Sequence, residues 1–183
     1  MNYPLKTLLF FILLALTTSS AFAHPHVFIR FDIAFVTDDK GVTGVRMNWD
    51  LDPMFSQSLL ESYDKNSNRI LEPAEIKLLE AEAFSNLENY HYLTYVMLDG
   101  APYRFFNAED FSAKLIDQEI RYTFTLPLEK PVIASATPQT LNARVYDETS
   151  FIWMSFTEKS SVIETNGANI NYQIDMTKET VYD

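Results

Sequence analysis

The chain has 183 residues, with 25 acidic against 14 basic side chains, a formal net charge of −11 at pH 7 and no cysteine. Such a balance excludes the basic footprint of a nucleic-acid binder and disfavours anionic lipid as a partner. Without cysteine there are no disulfides, thiolate metal sites or cysteine nucleophiles.

Residues 1–23 read as a secretory signal peptide: Lys6 is the positive start, Leu8–Leu16 the apolar run, and Ala21, Phe22 and Ala23 a small-x-small cleavage site. The run falls short of the roughly 20 apolar residues that a transmembrane helix needs, so no membrane span is expected in the mature chain. The mature protein is expected to start at His24 and to be periplasmic, a compartment that suits an exported chain free of cystines. Residues 24–183 then suffice for a single domain with its own core.

From Val27 the sequence alternates, with Val27, Ile29, Phe31, Ile33 and Phe35 on one face and Arg30 and Asp32 on the other, as in a half-buried strand. After a turn at Asp38–Gly41, Val45, Met47 and Trp49 alternate with Arg46, Asn48 and Asp50, which completes a hairpin. Asp52 as N-cap and Pro53 at the first helical position open a helix with Phe55, Leu59 and Tyr63 as its stripe. A second helix starts at Pro73 and carries Ile76, Leu79, Ala83 and Leu87 on one side. Strand signals resume at Tyr92–Leu98, turn at Asp99 and Gly100, and return through Tyr103–Phe106. Ile120, Tyr122, Phe124 and Leu126 alternate, and Pro127–Pro138 reads as a connection punctuated by proline. Leu141–Asp147 and Phe151–Thr157 are two further strands, and Val162–Thr165 and Asn169–Met176 flank a hairpin turn at Asn166 and Gly167. About eight short strands with closely spaced turns predict a mainly β fold, an antiparallel immunoglobulin-like sandwich with helices inserted at about 53–86.

Between the two helices, Asp64–Glu75 places oxygen-bearing side chains at loop positions 1, 3, 5, 9 and 12, the ligand spacing of an EF-hand calcium loop. Asp64, Asn66 and Asn68 supply side-chain oxygens, Ile70 its backbone carbonyl, Glu72 a contact often made through water, and Glu75 a bidentate carboxylate. Position 6, glycine in that pattern, is Arg69, where a left-handed backbone costs roughly 1–2 kcal/mol. Binding is therefore expected to be weak, with a Kd of about 10⁻⁴–10⁻³ M. The competing reading is a polar interhelical turn with Glu75 in the first turn of the next helix.

Cleavage after Ala23 leaves His24, Pro25 and His26 at a free α-amine. The amine and the His24 ring can chelate a metal together, with His26 as a third nitrogen, and such donors suit nickel, cobalt, zinc or copper. Alternatively, His24 is simply a chain terminus and His26 the start of a strand. His91, beside Tyr92, reads as a packed histidine. Asp50, Asp52 and Asp147 could pair as acid and base. They read more simply as a strand end, a helix cap and a turn start, and with no nucleophile motif or phosphate loop no enzymatic activity is expected.

Taken together, the motifs His24–Ile29, Trp49–Ser56, Asp64–Glu75, Tyr92–Tyr95 and Val145–Phe151 resemble the domain of unknown function 1007 family. The resemblance covers nearly all of the mature chain. It implies a bacterial periplasmic protein associated with an ABC-type transport system and with nickel or cobalt permeases, and it brings no enzymatic activity. The expected function is thus a non-enzymatic, periplasmic binder of divalent metal, accessory to an inner-membrane transport permease. The alternative is an immunoglobulin-like adaptor whose exposed aromatic and acidic surface docks a membrane or periplasmic partner.

Overall fold

The structure, a computed structural model, describes residues 26–39, 41–157 and 164–165. Two long strands begin it, β1 (Val27–Asp38) and β2 (Gly41–Leu51), paired antiparallel from Ile29 opposite Leu51 to Asp38 opposite Gly41. Gly41 takes φ 142°, and a Cβ there would lie 2.1 Å from the carbonyl oxygen of Val132, so this turn requires glycine. Helices α1 (Pro53–Tyr63) and α2 (Pro73–Glu82) follow, then a 3-10 segment, Phe84–Leu93. The remaining strands are β3 (Thr94–Leu98), β4 (Ala101–Tyr103), β5 (Glu109–Ile116), β6 (Glu119–Val132), β7 (Leu141–Val145), β8 (Ile152–Phe156) and the two-residue β9 (Glu164–Thr165).

The fold is mostly β, with one mixed and one antiparallel sheet. The larger sheet has the order β5-β6-β2-β1-β8, with β9 also on β1, and the smaller has β4-β3-β7. The expectation of a purely antiparallel fold is corrected here, because β8 and β9 both run parallel to β1. Alternation fixes which face of a strand is buried but carries no sign of its direction.

Several boundaries also differ from the sequence reading. The strand expected over Tyr92–Leu98 starts at Thr94, because His91, Tyr92 and Leu93 hold left-handed backbones at φ 51°, 48° and 51°. Pro127 does not end β6, since beyond it the hydrogen bonds move to another neighbour: the N–H of Phe106 donates to the Pro127 carbonyl and that of Glu129 to the Arg104 carbonyl. The return expected over Tyr103–Phe106 is strand only as far as Tyr103, with a single bridge from Phe105 to Leu128. Strand β5 had no counterpart in the sequence reading. The second half of the hairpin expected around Asn166 and Gly167 lies outside the described residues, as does the signal peptide expected over residues 1–23.

The inner face of the large sheet presents Val45, Met47, Trp49 and Leu51 of β2 with Ile120, Tyr122, Phe124 and Leu126 of β6, all buried. Leu59 and Leu60 of α1, Leu79 of α2, Phe84, and Val96 of β3 belong to the same core. Aromatic edges lock it, with Trp49 perpendicular to Phe124 at 5.0 Å and Phe84 stacked on Phe111 at 4.1 Å. The outer face carries the alternate set of residues, among them Arg30, Asp32, Asn48, Asp50, Arg121 and Thr123, and is polar.

Candidate functional site: the loop between α1 and α2

Both flanks of the loop are fixed by local chemistry. Asp52 caps α1, its Oδ1 accepting the N–H groups of Met54 and Phe55 at 2.9 and 3.0 Å, while its Oδ2 accepts the Phe28 N–H of β1 at 2.9 Å. Ser56, fully buried, donates to the Leu51 carbonyl and accepts the Ile120 N–H at 2.8 Å, which ties α1 to β2 and β6. Leu71 is buried in the core immediately before α2 begins with Pro73.

Within the loop the predicted oxygens turn onto the loop itself. Asp64 and Glu75, its first and last members, are each 8% exposed. Asp64 accepts the Asn68 N–H at 3.1 Å and the Arg69 N–H at 2.7 Å, one on each oxygen. Glu75 reaches back across the loop and accepts the N–H groups of Lys65 at 2.7 Å and Glu72 at 3.0 Å. Asn66 Oδ1 accepts the Asn68 N–H and Asn68 Oδ1 accepts the Ile70 N–H, two successive Asx turns. The Nδ2 groups of Asn66 and Asn68 both donate to Glu72 Oε1, at 3.2 and 2.6 Å. Ile70 keeps its side chain exposed. Arg69 has φ 64°, so position 6 does take the left-handed backbone that the glycine pattern implies.

Three carboxylates thus share one small loop whose own cations are engaged elsewhere. Lys65 Nζ donates to the Ser62 carbonyl at 2.6 Å, and Arg69 Nη1 contacts Gln57 Oε1 of α1 at 3.5 Å. Glu72 as a residue is half-buried, yet its Oε2 atom is fully covered and has no hydrogen-bond donor. The adjacent Glu75 side chain, and then the Asn68 and Asn66 amides that donate to Oε1, bring the Glu72 carboxyl down to about 2. The donor set is all oxygen, which fits a hard dication and not a soft one. Among the described residues no three His, Asp or Glu side chains stand together as a metal-holding group. In this loop the carboxylates are interleaved with amide oxygens.

The other predicted residues fall apart from this loop. His26 is exposed, with its ring 4.9 Å from that of Phe151 and its N–H donating to the Phe151 carbonyl at 2.9 Å. His24 lies outside the described residues. His91 is exposed beside the Tyr95 ring at 6.2 Å, so it packs against an aromatic without being buried. Asp147, 4% exposed, accepts the N–H groups of Thr149, Phe151 and Ile152 and is the centre of a turn. Burial raises its carboxyl, but those donors together with the Thr149 hydroxyl outweigh burial and bring it below the ordinary carboxylate value. Asp50 holds Arg121 in a two-bonded pair at 2.6 and 2.8 Å.

That pair belongs to a feature the sequence reading did not assemble. On the outer face, Arg30, Asp50 and Arg121 stand in one cross-strand row, and Arg30 also bonds Glu119. With Asp32 and Asp117 they line an open groove of about 800 Å³. The polar alternation of β1 and β2 was visible in the sequence, but the partnership with β6 depends on register.

A mostly β chain with a helix-loop-helix and an oxygen-lined turn is the class of protein that this geometry defines. The chain belongs to the family described as "Protein of unknown function (DUF1007)", whose model matches residues 9–180. An uncharacterized protein of Haemophilus influenzae is 26% identical over 146 residues, 76% of this chain. The match covers 66% of that relative's length, just under two thirds. No solved structure matches the chain.

Proposed function

We propose that the chain is a non-enzymatic protein that binds a divalent metal, calcium, through an EF-hand-like loop formed by Asp64, Asn66, Asn68, the Ile70 carbonyl, Glu72 and Glu75. The observation that carries this reading is the buried Glu72 Oε2, an ionised oxygen with no donor in a loop that already concentrates Asp64 and Glu75. Burying such an oxygen uncompensated is costly, and a dication in the loop offsets that cost. Asn66 and Asn68 then meet the ion through Oδ1, the oxygens that also accept the Asn68 and Ile70 N–H groups. Against an enzyme stands the structural engagement of Asp50, Asp52 and Asp147, each held by donors of the fold.

The same reading takes the two sheets as an immunoglobulin-like sandwich bearing an EF-hand-like insertion, and the chain as exported to the periplasm after removal of residues 1–23. His24, His26 and the new α-amine form a separate site for nickel, cobalt, zinc or copper, which serves a metal transporter of the inner membrane. Among the described residues no helix is long and apolar enough to cross a membrane.

Thermal unfolding of chelator-stripped protein tests the calcium reading. Calcium at about ten times its Kd adds about 1.4 kcal/mol, a rise in Tm of about 3–6 °C for a domain of this size. An unchanged Tm at high millimolar calcium contradicts it. The nitrogen site is tested separately, since replacing His24 and His26 with alanine abolishes binding of those four metals and leaves the calcium shift intact.

A further inference from the structure

Among the described residues, Tyr95 and Tyr146 are the pair of tyrosines in ring contact, stacked at 4.5 Å between centroids and 22° between planes. The register of the small sheet puts them there. Tyr95 on β3 stands opposite Arg144 on β7, so Tyr146, two residues further on, is its diagonal neighbour on the same face, within reach of a long aromatic side chain. The Tyr146 N–H donates to the Leu93 carbonyl at 3.0 Å, which carries the pairing past the end of β7 and fixes the backbone of the second ring. Both residues are half-buried, so solvent reaches them.

One of the two phenols has a proton acceptor in place. The Tyr95 hydroxyl donates to Glu148 Oε1 at 3.0 Å. Burial, and then that carboxylate, push the phenol up to about 12, so at neutral pH it keeps its proton until an electron leaves. Loss of an electron makes a phenol strongly acidic, and the Glu148 carboxylate is placed to take the proton. A neutral tyrosyl radical is then held against a second phenol. With no cysteine in the chain, no thiol competes for the oxidising equivalent.

We propose that Tyr95 and Tyr146 form an oxidative modification site, at which a one-electron oxidant of the haem-peroxidase class, fed by hydrogen peroxide, joins their ortho carbons in a dityrosine bond. Each phenol gives up one electron and its hydroxyl proton. The two radicals couple carbon to carbon, the hydrogen on each bonded carbon leaves as a proton, and a solvent proton returns to each oxygen. Two tyrosines and one hydrogen peroxide thus give the cross-link and two waters. The centres of two directly bonded phenol rings lie at nearly the separation already present here, so coupling tilts the rings and leaves the strands in place. The bond ties β3 to the end of β7 and restricts the unfolded chain as a disulfide does. The site is independent of the calcium loop.

Dilute protein treated with a haem peroxidase and hydrogen peroxide, then digested and read by mass spectrometry, tests the proposal. The expected product is a monomer lighter by two hydrogens, with dityrosine fluorescence, a cross-linked peptide pair containing Tyr95 and Tyr146, and a higher Tm than the untreated chain. Tyr95→Phe and Tyr146→Phe keep both rings but cannot form the bond, and each is expected to lower the yield about tenfold or more, since only held neighbours couple efficiently. Tyr90 is 56% exposed and has no ring contact among the described residues, and Tyr90→Phe should leave the yield unchanged. Glu148→Gln removes the proton acceptor and is expected to slow formation of the bond. Thermal melts of the untreated variants verify that they fold. Absence of an internal cross-link, a product that joins other tyrosines, cross-linked dimers alone, or equal yield in Tyr95→Phe would each overturn the proposal.

Discussion

Arg69 holds φ 64° with a full side chain, and that backbone costs a residue with a Cβ roughly 1–2 kcal/mol. Its N–H is nevertheless well used, donating to Asp64 at 2.7 Å, so the strain is held in place by the loop's own bonding. Arg69→Gly keeps that N–H and removes the strain. The metal-free variant is expected to gain about 1 kcal/mol in urea unfolding, and its calcium affinity to rise; a loss of stability would show that the guanidinium contact with Gln57 matters more than the backbone. Asp147 supplies the pH dependence. Its carboxyl lies below its ordinary value of 3.8 in the folded state, so its contribution is present above that pH and fades as pH falls through the lowered value. Asp147→Asn cannot lose that contribution on acidification, and its stability between pH 5 and pH 2 should fall less steeply than that of the parent. A parallel decline in both proteins would remove Asp147 from the account. Among loop residues, the oxygen-bearing side chains from Asp64 to Glu75 and the left-handed backbone at Arg69 were legible, because each depends on spacing within a dozen residues. The covered Glu72 oxygen was not legible, because it depends on how side chains close over it.

The insertion is positioned by a few bonds at the ends of its elements more than by helix propensity. Ser56 is the sharpest example, joining the Leu51 carbonyl and the Ile120 N–H through one buried hydroxyl. Ser56→Ala leaves the Ile120 N–H without a partner and is expected to cost about 1–3 kcal/mol. Ser62→Ala, which removes only an exposed bond to the Ser58 carbonyl, should stay within about 0.5 kcal/mol. Comparable effects in the two variants, read by chemical denaturation, would contradict the role given to Ser56. The cap at Asp52 and the helix start at Pro53 were readable from sequence because they are local signals. The ends of β3 and β6 were not. Tyr92 and Leu93 look like strand by composition yet sit in left-handed turns, and Pro127 reads as a break although the strand continues on new partners at Arg104 and Phe106. In β5, Phe111, Ala113 and Leu115 do alternate, but with charged and small residues between them, so the strand signal is weak.

Across the whole molecule, one sheet separates two chemistries. Its inner face makes the core with both helices, and its outer face carries paired charges and exposed aromatics. The two faces could be read from the alternation of β1 and β2, but the parallel placement of β8 beside β1 could not, since only tertiary packing decides strand direction. Closure of the hairpin at Gly41 is a global constraint of the same kind: Gly41→Ala drives a methyl into the Val132 carbonyl of β6 and should cost about 1–3 kcal/mol. Unchanged stability of that variant in denaturant would mean that the turn relaxes freely. The central claim, that the loop from Asp64 to Glu75 is a calcium site, is tested most directly by calorimetric titration of chelator-stripped protein with calcium, repeated on Glu75→Gln. The account predicts saturable binding in the range of about 10⁻⁴–10⁻³ M that is lost in the variant. No heat of binding up to that range, or equal binding by both proteins, would contradict it.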